Sequence, residues 1–346
     1  MTITNLTGDK FDGFFEFNKK INSTQKNIVE RLTRQIFDNP LLTGKSYPSI
    51  LIALDEKDRI IGQHLHNPVE YFYRGECKTG FFGFDFFVEE AYRGQGIGFS
   101  LASAGNQKFF PHFGLGVSES SKKILLSLNN KVIGNFYIYI WIRNIFSLIR
   151  LALHSLLNDK LIPRKGEPNN FRFPNELSFN GCRFNLIRSL NHWEYHPWNE
   201  DVLEFSRSLS FLNWRFLNGQ GNYSLYLLDE PDASTYFVVR RIYSRGLNLL
   251  ALVDYRLPFE DEEKFKLILQ ASKLLARKAH CDGVYTLSTV QFFDACLKRS
   301  LFFKRPKPIT ILTNAGINFS RTKIEQRKCV LATMADSDMD YYFDFI

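Results

Sequence analysis

The run Arg93-Gly94-Gln95-Gly96-Ile97-Gly98 constrains the fold more than any other stretch of this chain. An aromatic segment ending Phe86-Phe87-Val88 reads as a strand before it, and residues to about Lys108 read as a helix after it. Three glycines in five residues allow backbone conformations that other residues resist. They also let backbone N–H groups approach a ligand closely. The helix begins there, so its unpaired amides and positive dipole end face the same point. Such a junction suits a pyrophosphate, and Arg93 adds a fixed charge with a forked donor. A Walker loop is disfavoured, because Gly98 is followed by Phe99 and not by Lys-Ser/Thr. A Rossmann loop needs G-x-G-x-x-G and usually follows a first strand; here the third glycine comes one residue early, after a late strand.

Strand and helix signals alternate around this junction. Met1–Leu6, Ser49–Leu54, Arg59–Gln63, Phe81–Val88, Phe113–Val117 and Asn135–Ile142 read as strands. Phe14–Ile21, Ile28–Phe37 and Ser120–Leu128 read as helices. After a Pro-, Gly- and Asn-rich stretch, Ile162–Asn180, the order of elements recurs, with a helix over Glu200–Phe216 and another over Lys264–Ala279. A chain of 346 residues favours two domains. The expected organisation is an α/β (mixed-sheet α+β) fold in two tandem copies. Residues 1–144 carry the loop, 145–180 form an amphipathic helix and linker, and 181–346 form the second copy.

A 45% hydrophobic fraction supports a real core, and a net charge of +8 permits an anionic partner without selecting one. The five cysteines are scattered, with no CxxC pair, which argues against a zinc or disulfide framework and for a reducing, cytoplasmic setting. No metal ion is expected. The amino terminus lacks a signal-peptide pattern. The most apolar stretch, Val132–Leu157, is interrupted by Arg143 and Arg150, short of the roughly 18–20 residues that a spanning helix needs. Its second part, Ile145–Leu157, reads as an amphipathic helix. It packs against a domain or lies weakly on a membrane surface, helped by nearby basic residues. The short basic stretch Lys304-Arg305-Pro306-Lys307 lacks a nucleic-acid motif, so no nucleic-acid partner is expected.

The phrase Val88-Glu89-Glu90-Ala91-Tyr92-Arg93-Gly94-Gln95-Gly96-Ile97-Gly98, with its R-x-x-G-x-G core, resembles the acyl-CoA loop of the GNAT acyltransferase superfamily. The resemblance implies an N-acyltransferase using acetyl-CoA or another acyl-CoA. The amides of Gln95 through Phe99 would hold the CoA pyrophosphate beside Arg93. The backbone at Phe86, Phe87 and Val88 would meet the pantetheine arm and the developing oxyanion. The second half resembles the same fold without the loop: Tyr255-Arg256-Leu257-Pro258-Phe259-Glu260-Asp261-Glu262-Glu263 has no glycine and four consecutive acids, which would repel a pyrophosphate. The family's usual acid, a Tyr four residues before Gly-Phe on the late helix, has no counterpart in Ile124-Leu125-Leu126-Ser127-Leu128-Asn129-Asn130.

Proton removal from an amine then falls to Asp85, on the strand entering the loop, or to His64 or His66, which share one face of a strand. Asp85 has a structural hydrogen-bonding role as its alternative; His64 and His66 have metal binding, lining of the acceptor pocket and ordinary hydrogen-bonded packing as theirs. No cysteine lies in the loop or in Phe81–Val88, so direct attack by the amine without an acyl-enzyme is expected. For the acceptor, Trp214 and Arg215 suit stacking or carboxylate pairing, with packing as the alternative. Asp336 and Asp338 lie in an acidic tail that could receive a cation. The acceptor expected is a small-molecule primary amine, with an amino sugar of a cell-surface polysaccharide as one candidate. A Fem-type aminoacyl transferase and a non-catalytic acyl-CoA-binding or scaffold protein are the competing readings.

Overall fold

Alternation along one short strand explains how the first unit is covered on both faces. In Ile50–Leu54, the residues Ile50, Ile52 and Leu54 join a core with Leu6, Phe14, Ile28, Leu32 and Ile36, whereas Leu51 and Ala53 join Ile61, Ile97, Leu101 and Phe109. The computed structural model describes the chain except residues 23–27, 43–48, 157–170, 219–221, 232–233, 245, 318, 337–343 and 346.

The first unit comprises Met1–Asn135 and Ile309–Glu325. Strand β1 (Thr2–Asn5) pairs antiparallel with β2 (Ile50–Leu54), β2 with β3 (Ile60–Tyr73), and β3 with β4 (Glu76–Val88). The β3–β4 hairpin is longer than the sequence pattern indicates. Arg74 and Gly75 both have positive φ, the turn geometry that matches strand twist. Helices α1 (Phe11–Ile21) and α2 (Ile28–Leu32) supply Phe14, Ile28 and Leu32 to the first core. Helix α3 (Ile97–Lys108) supplies Ile97 and Leu101 to the second. Strand β5 (His112–Leu115) runs parallel to β4, helix α4 (Glu119–Ser127) follows, and the strand Ile309–Thr313 pairs antiparallel with β5.

The second unit comprises Phe136–Pro308 and Gln326–Ile346, and the boundary at 135/136 falls inside β6 (Lys131–Ile142). A division into consecutive segments, 1–144 and 181–346, leaves out this exchange. Helix α5 (Ile145–Leu156) follows β6. Strands β7 (Glu176–Phe179) and β8 (Cys182–Ile187) form a hairpin; β7 lies inside the stretch expected as linker, whose residues 162–170 are outside the described residues. The expected helix over Glu200–Phe216 is not one. Strand β9 (Leu203–Phe205), a one-turn helix α6 (Leu209–Leu212) and a wide turn, Asn213–Leu217, replace it. Ser208 explains the break: its hydroxyl accepts from the Phe211 amide, starting the helix there.

Strands β10 (Ser224–Leu228), β11 (Tyr236–Ser244) and β12 (Leu247–Arg256) are antiparallel neighbours. Helix α7 (Glu262–Lys278) leads to β13 (Gly283–Ser288), parallel to β12 and antiparallel to Tyr137–Ile142 of β6, and α8 (Gln291–Arg299) follows. Helix α7 buries Phe265, Ile268, Leu269, Ser272, Leu275 and Ala276, a helical stripe against the sheet.

Candidate acyl-CoA site in the first unit

Strand β4 is paired unequally on its two edges. Toward β3 the register jumps from Leu65↔Phe84 to Gln63↔Phe87, so β4 carries an extra residue opposite His64. Asp85 takes φ +43°, the left-handed conformation such a bulge demands. Toward β5 the pairing stops after Phe81↔His112, Phe82↔Phe113 and Gly83↔Gly114. From Phe84 onward, β4 runs to the loop without β5 beside it. Its backbone groups on that edge are therefore open to a ligand's amide groups, except the Val88 carbonyl, which accepts from Arg93.

The loop itself is open. Gly94 and Gly96 have φ +82° and +78°, and a Cβ added at either would meet nothing within 4 Å. Gly96 caps α3 without any side-chain hydrogen bond to the first helical amides. Those amides and the positive end of a 12-residue helix face outward at the loop. Arg93 donates from Nε to the Val88 carbonyl at 3.0 Å, and its guanidinium lies 5.3 Å from the Phe87 ring. The charge is thus held beside the loop with its other donors outward.

The corresponding junction of the second unit is closed. Strand β12 also carries a bulge, where Val239↔Leu252 gives way to Val238↔Asp254, and it also leaves β13 after Ala251. Its helix, however, caps itself: the Asp261 carboxylate accepts from the Lys264 amide at 2.9 Å, with Glu262 and Glu263 in the first turn. Phe259 packs on Trp198 at 4.8 Å between centroids. A cavity of about 660 Å³ lies beside this junction, lined by His192, Trp193, Tyr195, Trp198, Arg256 and Phe259 among others.

The side chains expected to act on the amine lie deeper. Asp85 is paired with Arg31 of α2 at 2.6 Å, and both side chains are buried, at 4% and 3% exposure. Gln63 donates to the Asp85 carbonyl and exchanges hydrogen bonds with Asn18 of α1. Asp85 thus ties the bulge to the helices behind it. His64 and His66 do share one face of β3, with ring centroids 4.1 Å apart, but both are buried, and His112 of β5 joins them. Burial and the neighbouring imidazoles hold His64 and His66 well below the ordinary histidine range. Burial also drives His112 down to about 4, opposed by the Asn130 side chain. Nothing in the sequence pattern joined His112 to the pair; a histidine opening the strand parallel to β4 was the available signal.

Glycine at 105 belongs to this cluster. A Cβ there would lie 2.7 Å from His66 Nε2, on a helix where Ala is ordinarily about 1 kcal/mol better than Gly. Gly105→Ala should therefore destabilise the chain, by about 1–2 kcal/mol in urea unfolding, against the usual sign.

The expected acceptor residues are packed. Arg215 is buried, donates to the Tyr223 hydroxyl at 2.6 Å and lies over the Phe216 and Tyr223 rings. Trp214 packs edge-on against Phe211 at 5.8 Å. Asp336 is buried against Arg207 at 2.7 Å and is not presented to a cation, while Asp338 lies outside the described residues. None of the five cysteines forms a disulfide. Cys77 is on β4 after all, since that strand begins earlier than Phe81, but it lies nine residues from Phe86, about 30 Å along an extended strand.

No family model matches the chain, and no curated relative does. Solved structures match it at low identity. A GCN5-related N-acetyltransferase from Anabaena variabilis superposes with a TM-score of 0.57 at 10% identity, over 90% of this chain and 72% of that one. A probable N-acyltransferase from Enterococcus faecalis gives 0.54 at 11%, over 90% and 71%. Saccharomyces cerevisiae N-myristoyltransferase, solved with myristoyl-CoA, gives 0.55 at 10%, over 90% and 78%. The chain therefore has the GNAT fold of the GCN5-related N-acetyltransferases and N-myristoyltransferases, as two tandem mixed α/β units of which the second lacks the glycine loop.

Proposed function

We propose that this chain is an acyl-CoA-dependent N-acyltransferase whose first unit binds the CoA pyrophosphate at Arg93–Phe99. One observation carries the reading: two left-handed glycines at an uncapped helix start, beside the β4 edge that β5 leaves unpaired. The pantetheine arm adds to that edge as a short strand would, along Phe86, Phe87 and Val88. A backbone N–H there polarises the thioester carbonyl. The acceptor is a primary amine of a small molecule. Attack is direct, within a ternary complex, and the thiolate leaves without a dedicated acid, which a thiol pKa of about 8.5 allows. Because Asp85, His64 and His66 are buried, we assign the amine proton to water at the mouth of the site.

Calorimetric titration with CoA should give one site per chain, and acetyl-CoA or a longer acyl-CoA should release thiol only when an amine is present. A stoichiometry of two, or no binding by the folded chain, would sink this assignment.

We propose in addition a weak association with anionic membranes, supported by one exposed helix face. Among the described residues, no helix is long and apolar enough to cross a membrane. Helix α5, however, exposes Ile145, Phe146, Ile149 and Leu153. Their spacing makes one apolar stripe, with Arg143 and Arg150 close by. Sedimentation with phosphatidylserine-containing vesicles should pull down the chain, and Phe146→Glu with Ile149→Glu should reduce the bound fraction severalfold. Equal binding by both proteins would remove this surface from consideration.

A further inference from the structure

We propose that His64, His66 and His112 form a buried binding site for a divalent transition-metal ion, with zinc as the expected occupant. Three imidazoles from two strands converge in the first unit, and one ligand nitrogen from each lies within 4.8 Å of the others. Their exposures are 2%, 0% and 1%. Such a cluster is costly without a ligand. Each neutral imidazole brings one donor and one lone pair out of water, and each pair left unmade costs about 1–3 kcal/mol. Yet His64 Nδ1 and both ring nitrogens of His66 and His112 are buried without a hydrogen bond of acceptable geometry.

The surroundings make room for these rings at a cost elsewhere. A Cβ on Gly83 would fall 2.0 Å from His112 Nε2, and one on Gly105 would fall 2.7 Å from His66 Nε2 and 3.2 Å from His64 Nδ1. The residue carrying the third ligand is fixed from outside the cluster. The His112 amide donates to Asn314 Oδ1, and its carbonyl accepts from Thr313 Oγ1, both at 2.7 Å. These contacts fix the backbone of the third ligand and leave its ring nitrogens free for an ion. Rings on both sides, Phe86 on His64 and Phe109 on His66, keep the centre apolar.

The donor set decides the ligand class. The imidazoles are held neutral, the form that binds a metal. Three nitrogens without a carboxylate suit zinc, copper, nickel or cobalt, and do not suit magnesium or calcium. Zinc–nitrogen bonds of about 2.0–2.1 Å in a tetrahedron place the nitrogens about 3.3 Å apart, so ring movements of about 1 Å complete the site. A water would take the fourth tetrahedral position, and the ion would join β3 to β5 from within the core, a role separate from acyl transfer.

Elemental analysis of the untagged full-length chain tests this. One zinc per chain is expected to survive dialysis into metal-free buffer. The chelated protein should take up one Co²⁺ and develop visible ligand-field bands of a tetrahedral nitrogen site. His66→Gln and His112→Gln should each weaken zinc binding beyond the about 10–100-fold typical of outer contacts. The paired change His192→Ala and His196→Ala, at exposed or half-buried positions of the second unit, should keep the full zinc content. If the cluster variants do not fold, the wild-type measurements decide. A folded wild-type chain that holds no zinc after equimolar titration and stays colourless with Co²⁺ would overturn the proposal. So would zinc lost with His192 and His196 and kept by the cluster variants.

Discussion

Replacing Gly96 by Asp is expected to lower CoA affinity by about 100-fold or more while leaving the chain folded. The backbone there has φ +78°, which Asp tolerates better than most residues, and its Cβ would meet no atom within 4 Å. The carboxylate would stand where the pyrophosphate sits. Two unit charges about 4 Å apart repel by about 4 kcal/mol at an effective dielectric of about 20. Exposure of the loop reduces this, and about 2.7 kcal/mol already corresponds to 100-fold. Gly96→Asn is the control for shape and backbone strain, and should lose less than about 10-fold. Calorimetry with both variants, checked by circular dichroism, separates the outcomes. Equal losses for Asn and Asp would assign the effect to backbone strain; unchanged affinity in a folded Gly96→Asp protein would remove CoA from this loop.

The second large effect is expected from Arg207→Met, which should destabilise the second unit by about 3–5 kcal/mol at pH 7. Arg207 is fully buried and donates to both carboxylate oxygens of Asp254, at 2.8 and 3.0 Å, and to Asp336 at 2.7 Å. Tyr236 and Thr333 complete the network with hydrogen bonds to Asp254. Burial pushes the Asp254 carboxyl up, but Arg207 and Arg256 outweigh it and hold it below the usual range. In the native chain its stabilisation is thus present above the unfolded pKa of about 3.9 and is lost as the pH falls through the lower folded value. In Arg207→Met, buried carboxyls lose their principal partner and their folded pKa rises above the unfolded one. The variant's deficit should therefore shrink as the pH drops from 7 toward 5. Urea unfolding across that range measures it; a deficit that stays constant with pH would show that packing, and not charge, is what Arg207 supplies.

The glycine loop was legible because its demands are local: left-handed backbone, open space and a helix start all sit within six residues. The helix α3 and the helix expected over Lys264–Ala279 followed from periodicity, and the observed spans, Ile97–Lys108 and Glu262–Lys278, agree with it. Glu200–Phe216 misled because an apolar stripe at helical spacing there serves a strand, a capped turn and a wide turn in succession. The β4 bulge was not legible, since an extra residue against a partner strand is a property of two segments together. The same holds for the histidine cluster. His64 and His66 share a face by spacing alone, but His112 reaches them through pairing with β4.

The strand Ile309–Thr313 has a consequence for how the protein is made. It completes the sheet of the first unit at β5, yet it is synthesised after most strands of the second unit. Domains generally fold in order of synthesis. Here the edge of β5 stays open until more than 300 residues have emerged. An exposed strand edge is a template for wrong pairing, so the nascent chain carries a vulnerable seam from the emergence of β5 until Ile309–Thr313 follows. A fragment ending near residue 144 keeps that seam permanently, because the strand that closes it lies beyond the second unit's helices α7 and α8.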